Sequence, residues 1–284
     1  MADNDTLCGW GNEAKVAYFL ANADVIVPRR AEQINLLVEL LPYPIDAEIG
    51  VLDLGAGFGA ITEQILEHYR RATVTCVDGS QAMVEHAAQR LQKYGARVNI
   101  FKADLAERSW SDILKPLARA LSVPLPLCRG RGEARVTAGE GKVEGAVFDA
   151  AVSAIAIHHL THQRKRELCH EVFQLLAPGG IFLNNDVVAT PPALKTRFEM
   201  LNLAAIQQQE RAQRGVARSR EQIQAEMREQ LRLAGNEHHS HIAPLRDQLV
   251  WLTEAGFKSV DCYWRYLDLA IFGGVKERQG EESN

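Results

Sequence analysis

The sequence predicts an α/β fold in which a mostly parallel seven-stranded sheet is covered by helices and finished by an antiparallel C-terminal hairpin. Three observations carry that expectation. From about residue 49 to 185, short apolar runs alternate with amphipathic stretches, which is how a parallel sheet wrapped in helices reads. An early strand in that region breaks into a glycine-rich turn, and two β-rich runs lie close together near the C-terminus. The 284 residues, 46% hydrophobic and 24% charged, exclude a disordered, collagen-like or coiled-coil chain and suit one decorated domain.

Residues 1–46 read as an N-terminal helical cap. Glu13 to Leu20 and Arg29 to Leu41 have helical spacing, and Pro28 suits a helix start. The core, 47–190, has strands at Ile49 to Leu54, Thr73 to Val77, Val98 to Phe101, Val147 to Ser153 and Ile181 to Asn185. Helical spacing fills the gaps at Ala60 to Tyr69, Ser80 to Tyr94, Ser109 to Leu121 and His162 to Leu176, the last ending at Pro178-Gly179-Gly180. A loop insertion at 122–146 holds five glycines and two prolines, with Arg129, Arg131 and Arg135 close together. Residues 191–242 read as a helical lid, because Phe198, Leu201 and Ala205, then Ile223, Met227 and Leu231, repeat at helical spacing. In 243–284, Pro244 to Gly256 is a helix with a glycine cap, and Ser259 to Trp264 pairs with Leu267 to Phe272 as the hairpin that completes the sheet.

Charge and composition narrow the partners. A net charge of −4 gives no global attraction to phosphate backbones, so nucleic acid is not expected as a partner. No run reaches the roughly 18 to 20 apolar residues of a membrane span, and the acidic start, Met1-Ala2-Asp3-Asn4-Asp5, is unlike a secretory signal, so a cytoplasmic protein is expected. Five scattered cysteines without a CxxC pair suggest neither a disulfide framework nor a zinc ribbon. His158 with His162, and His238-His239-Ser240-His241, lack a completing carboxylate, so no metal is expected.

The chemistry concentrates in Val51-Leu52-Asp53-Leu54-Gly55-Ala56-Gly57-Phe58-Gly59. Glycines reach backbone angles closed to other residues and let a ligand touch the main chain, while the following helix start is expected to offer free N–H groups. The spacing is GxGxG, not the GxGxxG of a nicotinamide site, and Asp53 precedes the first glycine by two residues. An acid there suits a cationic ligand better than a pyrophosphate. A second strand ends at Asp78, 19 residues after Gly59, placed to accept hydrogen bonds from both hydroxyls of a ribose. Gly79 follows it, Ser80 suits a helix N-cap, and Met83 can pack on an adenine. Asp104, in Lys102-Ala103-Asp104-Leu105, is placed to accept from an adenine amino group.

With these motifs, and with Phe148-Asp149-Ala150-Ala151-Val152-Ser153 and Leu176-Ala177-Pro178-Gly179-Gly180 in order behind them, residues 49 to 186 resemble the class I S-adenosylmethionine-dependent methyltransferases. The resemblance implies a Rossmann-like, doubly wound sheet with S-adenosyl-L-methionine as cofactor. It implies that Gly55 and Gly57 contact the methionyl part through backbone atoms, with Ala56 and Gly59 also in the cofactor-binding turn and Asp53 favouring the ammonium group. It further implies Asp78 and Gly79 on the ribose, Met83 beside the adenine, and Ala103, Asp104 and Leu105 on the adenine edge. Ser153 would lead the fourth strand beneath the sulfonium, and Arg29 or Arg30 could pair with the cofactor carboxylate, as basic residues do in some relatives.

His158 and His159 follow that strand and are the candidate catalytic residues, since an imidazole at the mouth of the site can take a proton from a substrate; one of them can instead be structural. The expected activity is methyl transfer to an O, N or C nucleophile of a small molecule by in-line displacement, by a monomer or homodimer. The alternatives are a relative of the carboxy-S-adenosylmethionine synthases, whose start loosely resembles Val16 to Leu41, a tRNA-modifying enzyme, or a non-catalytic cofactor-binding protein. Against base methylation, Ser153-Ala154-Ile155-Ala156 stands where an Asn-Pro-Pro-Tyr type sequence would be.

Overall fold

The computed structural model of the protein describes residues 9–114, 148–234 and 241–278. Two helices come first, α1 (Glu13–Ile26), capped by the Asn12 side chain, and α2 (Arg30–Glu39). Five strands then alternate with helices: β1 (Gly50–Leu54), α3 (Ala60–His68), β2 (Thr73–Asp78), α4 (Gln81–Leu91), β3 (Val98–Lys102), β4 (Phe148–Ala154), α5 (His162–Leu175) and β5 (Leu176–Val187). Helices α6 (Lys195–Arg214), α7 (Arg220–Ala234) and α8 (Leu245–Ala255) lead to the strands β6 (Lys258–Tyr266) and β7 (Leu269–Val275).

The strands form one sheet in the order β3-β2-β1-β4-β5-β7-β6, parallel from β3 to β5 and antiparallel where β7 pairs with β5 and β6. Strand alternation distributes the core over both faces. Val51, Val74 and Cys76 pack with Leu37, Ile65 and Leu91 on one side, while Leu52, Leu54 and Val77 pack with Leu168, Val172 and Leu252 on the other. With β1 buried on both faces, its C-terminal end is a rigid platform for the glycine turn, and the strand order reverses there between β1 and β4.

Local readings differ from the sequence expectation in three places. The Pro178-Gly179-Gly180 stretch does not precede β5 but lies inside it; a register shift opposite Phe148 and Ala150, with Gly179 at φ 88°, absorbs the proline. The expected helix from Ser109 is, as far as Leu114, a short 3₁₀ turn (Trp110–Leu114), and its remainder, like the 122–146 loop with its three arginines, lies outside the described residues. Helix α4 ends at Leu91 and passes into a 3₁₀ segment broken at Gly95.

Candidate active site

One cavity of about 700 Å³ opens at the C-terminal ends of β1, β2 and β4, within the size range of small-molecule sites, roughly 300–1,000 Å³. The glycine turn forms its floor. Gly55, Gly57 and Gly59 all have positive φ, at 67°, 54° and 78°. A Cβ on Gly55 would stand 2.3 Å from the Ala156 Cβ, whereas one on Gly57 would meet no protein atom within 4 Å. Gly55 therefore admits the neighbouring strand end, and Gly57 presents bare backbone on an open side.

The N–H groups of the turn itself are occupied, ahead of the helix start at Ala60. Gly55 and Ala56 donate to the Val77 carbonyl (2.8 and 3.1 Å), Gly57 donates to Asp78 Oδ2 (2.8 Å), and Gly59 donates to Ala56 (2.9 Å). A pyrophosphate would find these donors already used. The cavity offers acceptors in their place. Asp53 is buried, its Oδ2 accepting from the Thr62 hydroxyl at 2.6 Å and its Oδ1 without a partner. Gln33 Oε1 and Asn185 Oδ1, on two further buried residues lining the cavity, are likewise unpartnered. Buried polar atoms are normally satisfied, so three unpartnered acceptors on residues of one lining suit a donor-bearing ligand.

Burial pushes the Asp53 carboxyl up to about 7, with the Thr62 hydrogen bond opposing the shift and Asp78 adding to it. A cation beside it would draw the proton off. Asp78 is raised by burial, against the backbone N–H groups of Ser80 (2.8 Å to Oδ1) and Gly57 that hold it. Ser80 caps α4 and places Met83, 3% exposed, on the first turn facing the cavity.

Of the sequence-expected cofactor residues, Asp53, Gly55, Ala56, Gly57, Asp78, Gly79, Met83, Asp104 and Leu105 line the cavity. Four do not. Gly59 lies behind the turn, where a Cβ would reach 2.7 Å from Leu91 Cδ1, so it serves helix packing. Ala103 donates its N–H to the Asp78 carbonyl (3.0 Å), and buried Ser153 donates its hydroxyl to the Leu54 carbonyl (2.8 Å). Arg29, with φ 59°, lies over the Tyr266 ring and beside Glu32, off the cavity lining, whereas Arg30, the other arginine expected at the carboxylate, lines the cavity. Arg30 is paired with Asp24 at 2.5 Å and lies over the Phe58 ring.

The two histidines separate. His158 does not line the cavity; its backbone N–H and Nδ1 engage the two oxygens of buried Asp186, at 2.8 and 2.6 Å, which fixes the loop after β4. His159 does line it, and its Nε2 accepts from the Trp10 indole at 3.0 Å. Trp10 also accepts the Ser80 hydroxyl at its carbonyl (2.7 Å), so it spans the mouth from the end of β2 to the end of β4. Ile155, between Ser153 and His158, is held at φ 53° by its N–H bond to the Asn185 carbonyl (2.8 Å). A β-branched residue in that region is strained, and the strain sits on the cavity wall.

Sequence reasoning missed Trp10, Phe19, Gln33, Arg164 and Asn185 on the lining. Arg164 donates to the Leu105 carbonyl (2.7 Å) and grips Glu171 through two bonds, holding the loop after β3 in place. Nothing in local sequence marks such residues, because each is brought in by a different element. Among the described residues no three His, Cys, Asp or Glu side chains cluster to hold a metal, and no helix is long and apolar enough to cross a membrane.

Comparison with known proteins agrees with this geometry. Residues 52–182 match the family model of a methyltransferase domain. A 94-residue stretch is 31% identical to the release factor glutamine methyltransferase of Bacillus subtilis, covering 31% of this chain and 32% of that protein. An O-methyltransferase family protein from Burkholderia thailandensis superposes with TM-score 0.56 at 17% identity, covering 96% of this chain and 62% of that one. A phosphoethanolamine N-methyltransferase 2 from Haemonchus contortus, solved with phosphomonomethylethanolamine and S-adenosylhomocysteine, gives 0.57 at 14% identity, covering 98% of this chain and 61% of that one. This chain thus spans about a third of the Bacillus protein and about three fifths of these two structures.

S-adenosylmethionine fits the residues present: it brings an ammonium group and ribose hydroxyls to a lining with unpartnered acceptors on Asp53, Gln33 and Asn185, with no phosphate to seek the occupied turn N–H groups. Residues 52–182 thus form a methyltransferase domain, on a sheet with the strand order described above.

Proposed function

We propose that the protein catalyses transfer of a methyl group from S-adenosylmethionine to an O, N or C nucleophile of a small molecule, releasing S-adenosylhomocysteine. When bound, the cofactor supplies an electrophilic methyl on a sulfonium. The protein's own part is positional: much of the catalysis of an in-line displacement comes from holding the reacting atoms in a line at near-contact distance. Asp53 is the partner for the ammonium group, Asp78 for the ribose, and Met83, Asp104 and Leu105 for the adenine. Arg30 is the basic residue available to the carboxylate.

The observation that carries a small substrate is the cover of the cavity. Trp10 bridges its mouth, with Phe19 packed edge-on against the indole at 5.2 Å, which sets an apolar wall next to the cofactor cradle. Such a wall excludes water and strengthens the effect of fixed dipoles on the moving charge. The −4 net charge supports a small molecule over nucleic acid, and a cytoplasmic site of action belongs to the same reading.

The decisive experiment incubates cell extract with the protein and S-adenosylmethionine carrying a deuterated methyl group. A small molecule shifted in mass is the expected result. Label appearing only in macromolecules would sink the small-molecule reading and favour the kind of acceptor named for the Bacillus relative.

A further inference from the structure

Resting on that reading, we infer that His241 is a catalytic residue: it accepts the proton of an O–H or N–H nucleophile. It lies outside the matched domain and lines the same cavity. Its Nδ1 lies 2.9 Å from the His159 carbonyl, an atom that can only accept, so the Nδ1 carries the proton and the Nε2 carries the lone pair. Among the described residues, no hydrogen bond engages Nε2. The two imidazoles after β4 are committed differently, since His159 Nε2 is taken by Trp10 and His158 is bound to Asp186 off the cavity.

The backbone around His241 is held for this task. Lys165, 2% exposed on α5, donates to the carbonyls of His158 (3.1 Å), Leu160 (2.7 Å) and His241. One ammonium thus ties the loop after β4 to the segment entering α8, which makes Lys165 a positioning residue. The open acceptors of Gln33 and Asn185 on the same lining agree with a substrate that brings donors. The charged and titratable groups that bond His241 or share its lining are Lys165, His159, Arg164, Arg30, Asp53, Asp78 and Asp104.

The nucleophile's lone pair forms the bond to the methyl carbon, the carbon–sulfur pair passes to sulfur, and the O–H or N–H proton passes to His241 Nε2. The imidazolium then returns the proton to solvent.

Two measurements test it. In protein labelled with ¹⁵N-histidine and saturated with S-adenosylhomocysteine, long-range nitrogen–proton correlation should find His241 protonated at Nδ1 and bare at Nε2 above neutral pH. A proton on Nε2 overturns the assignment whatever the activity. His241→Asn keeps a donor for the His159 carbonyl and loses the base. Release of S-adenosylhomocysteine in extract, at saturating S-adenosylmethionine, should fall by roughly 10²–10⁴-fold at neutral pH. The acid limb of the wild-type profile should be missing from the variant, with S-adenosylhomocysteine affinity within about twofold of wild type. An active wild type matched by the variant in rate and pH profile overturns the inference, whereas an inactive wild type overturns the methyltransferase reading and leaves the NMR result to decide His241.

Discussion

At the residue scale, Asp53 turns burial into a pH response. Its folded carboxyl titrates at about 7 against an ordinary 3.8, so the native state favours the protonated form and the unfolded state ionises first. The sign follows: stability contributed by neutral Asp53 is present below 3.8 and is lost as pH rises towards 7. Urea titrations of the ligand-free protein should show that slope, and Asp53→Asn should flatten it. The ligand reverses the preference, since an ammonium group favours the carboxylate. S-adenosylhomocysteine affinity should therefore weaken by up to about tenfold per pH unit on acidification below 7, a loss that calorimetry should not find in the Asn variant. The glycines give a second contrast. Gly57→Ala bears only the left-handed backbone cost, about 1–2 kcal/mol, and places its methyl on the ligand side. Gly55→Ala adds a collision with Ala156 and should cost about 2–5 kcal/mol. Denaturation curves should order them so, while Gly57→Ala loses more affinity than its stability loss explains.

At the element scale, helices α6 and α7 brace the cavity's cover from behind. None of residues 191–234 lines the cavity; Leu203, Ile206 and Ile223 pack on Val25 of α1, and Gln209 and Arg214 donate to the carbonyls of Asp24 and Ala21. Glu210, buried, holds Arg218 across the turn between the two helices at 2.6 Å. The sequence expectation of a lid over the substrate thus becomes a buttress for α1, which carries Phe19. Leu203→Ala should cost about 2–5 kcal/mol locally. Hydrogen exchange should quicken in α1 while β1 and β4 stay protected, and unchanged exchange in α1 would remove the bracing role. This was the least legible part of the chain. Periodicity found both helices, because an apolar stripe needs only the chain's own spacing, but it could not say what the stripe packs on. Glycines and acids at strand ends were legible for the opposite reason: Asp53, Gly55 and Asp78 owe their roles to local backbone. Arg29 and Arg30 differ by one residue and one backbone angle, which spacing does not resolve.

At the scale of the whole molecule, ligand and fold share one platform. S-adenosylhomocysteine at a hundred times its Kd should add about 2.7 kcal/mol to stability. A thermal melt should show the rise, and Asp78→Asn should abolish it; no rise in the wild type would refute the cofactor assignment. The order of the sheet has a further consequence, for synthesis. Strand β7 leaves the ribosome after β6, yet it lies inside β6 and alone joins it to β5. Until β7 is made, β5 has an open edge and β6 has no place in the sheet. The parallel half can assemble while translation continues, but the last two strands enter together, and a nascent chain stopped at Tyr266 would hold an unfinished edge exposed to other chains.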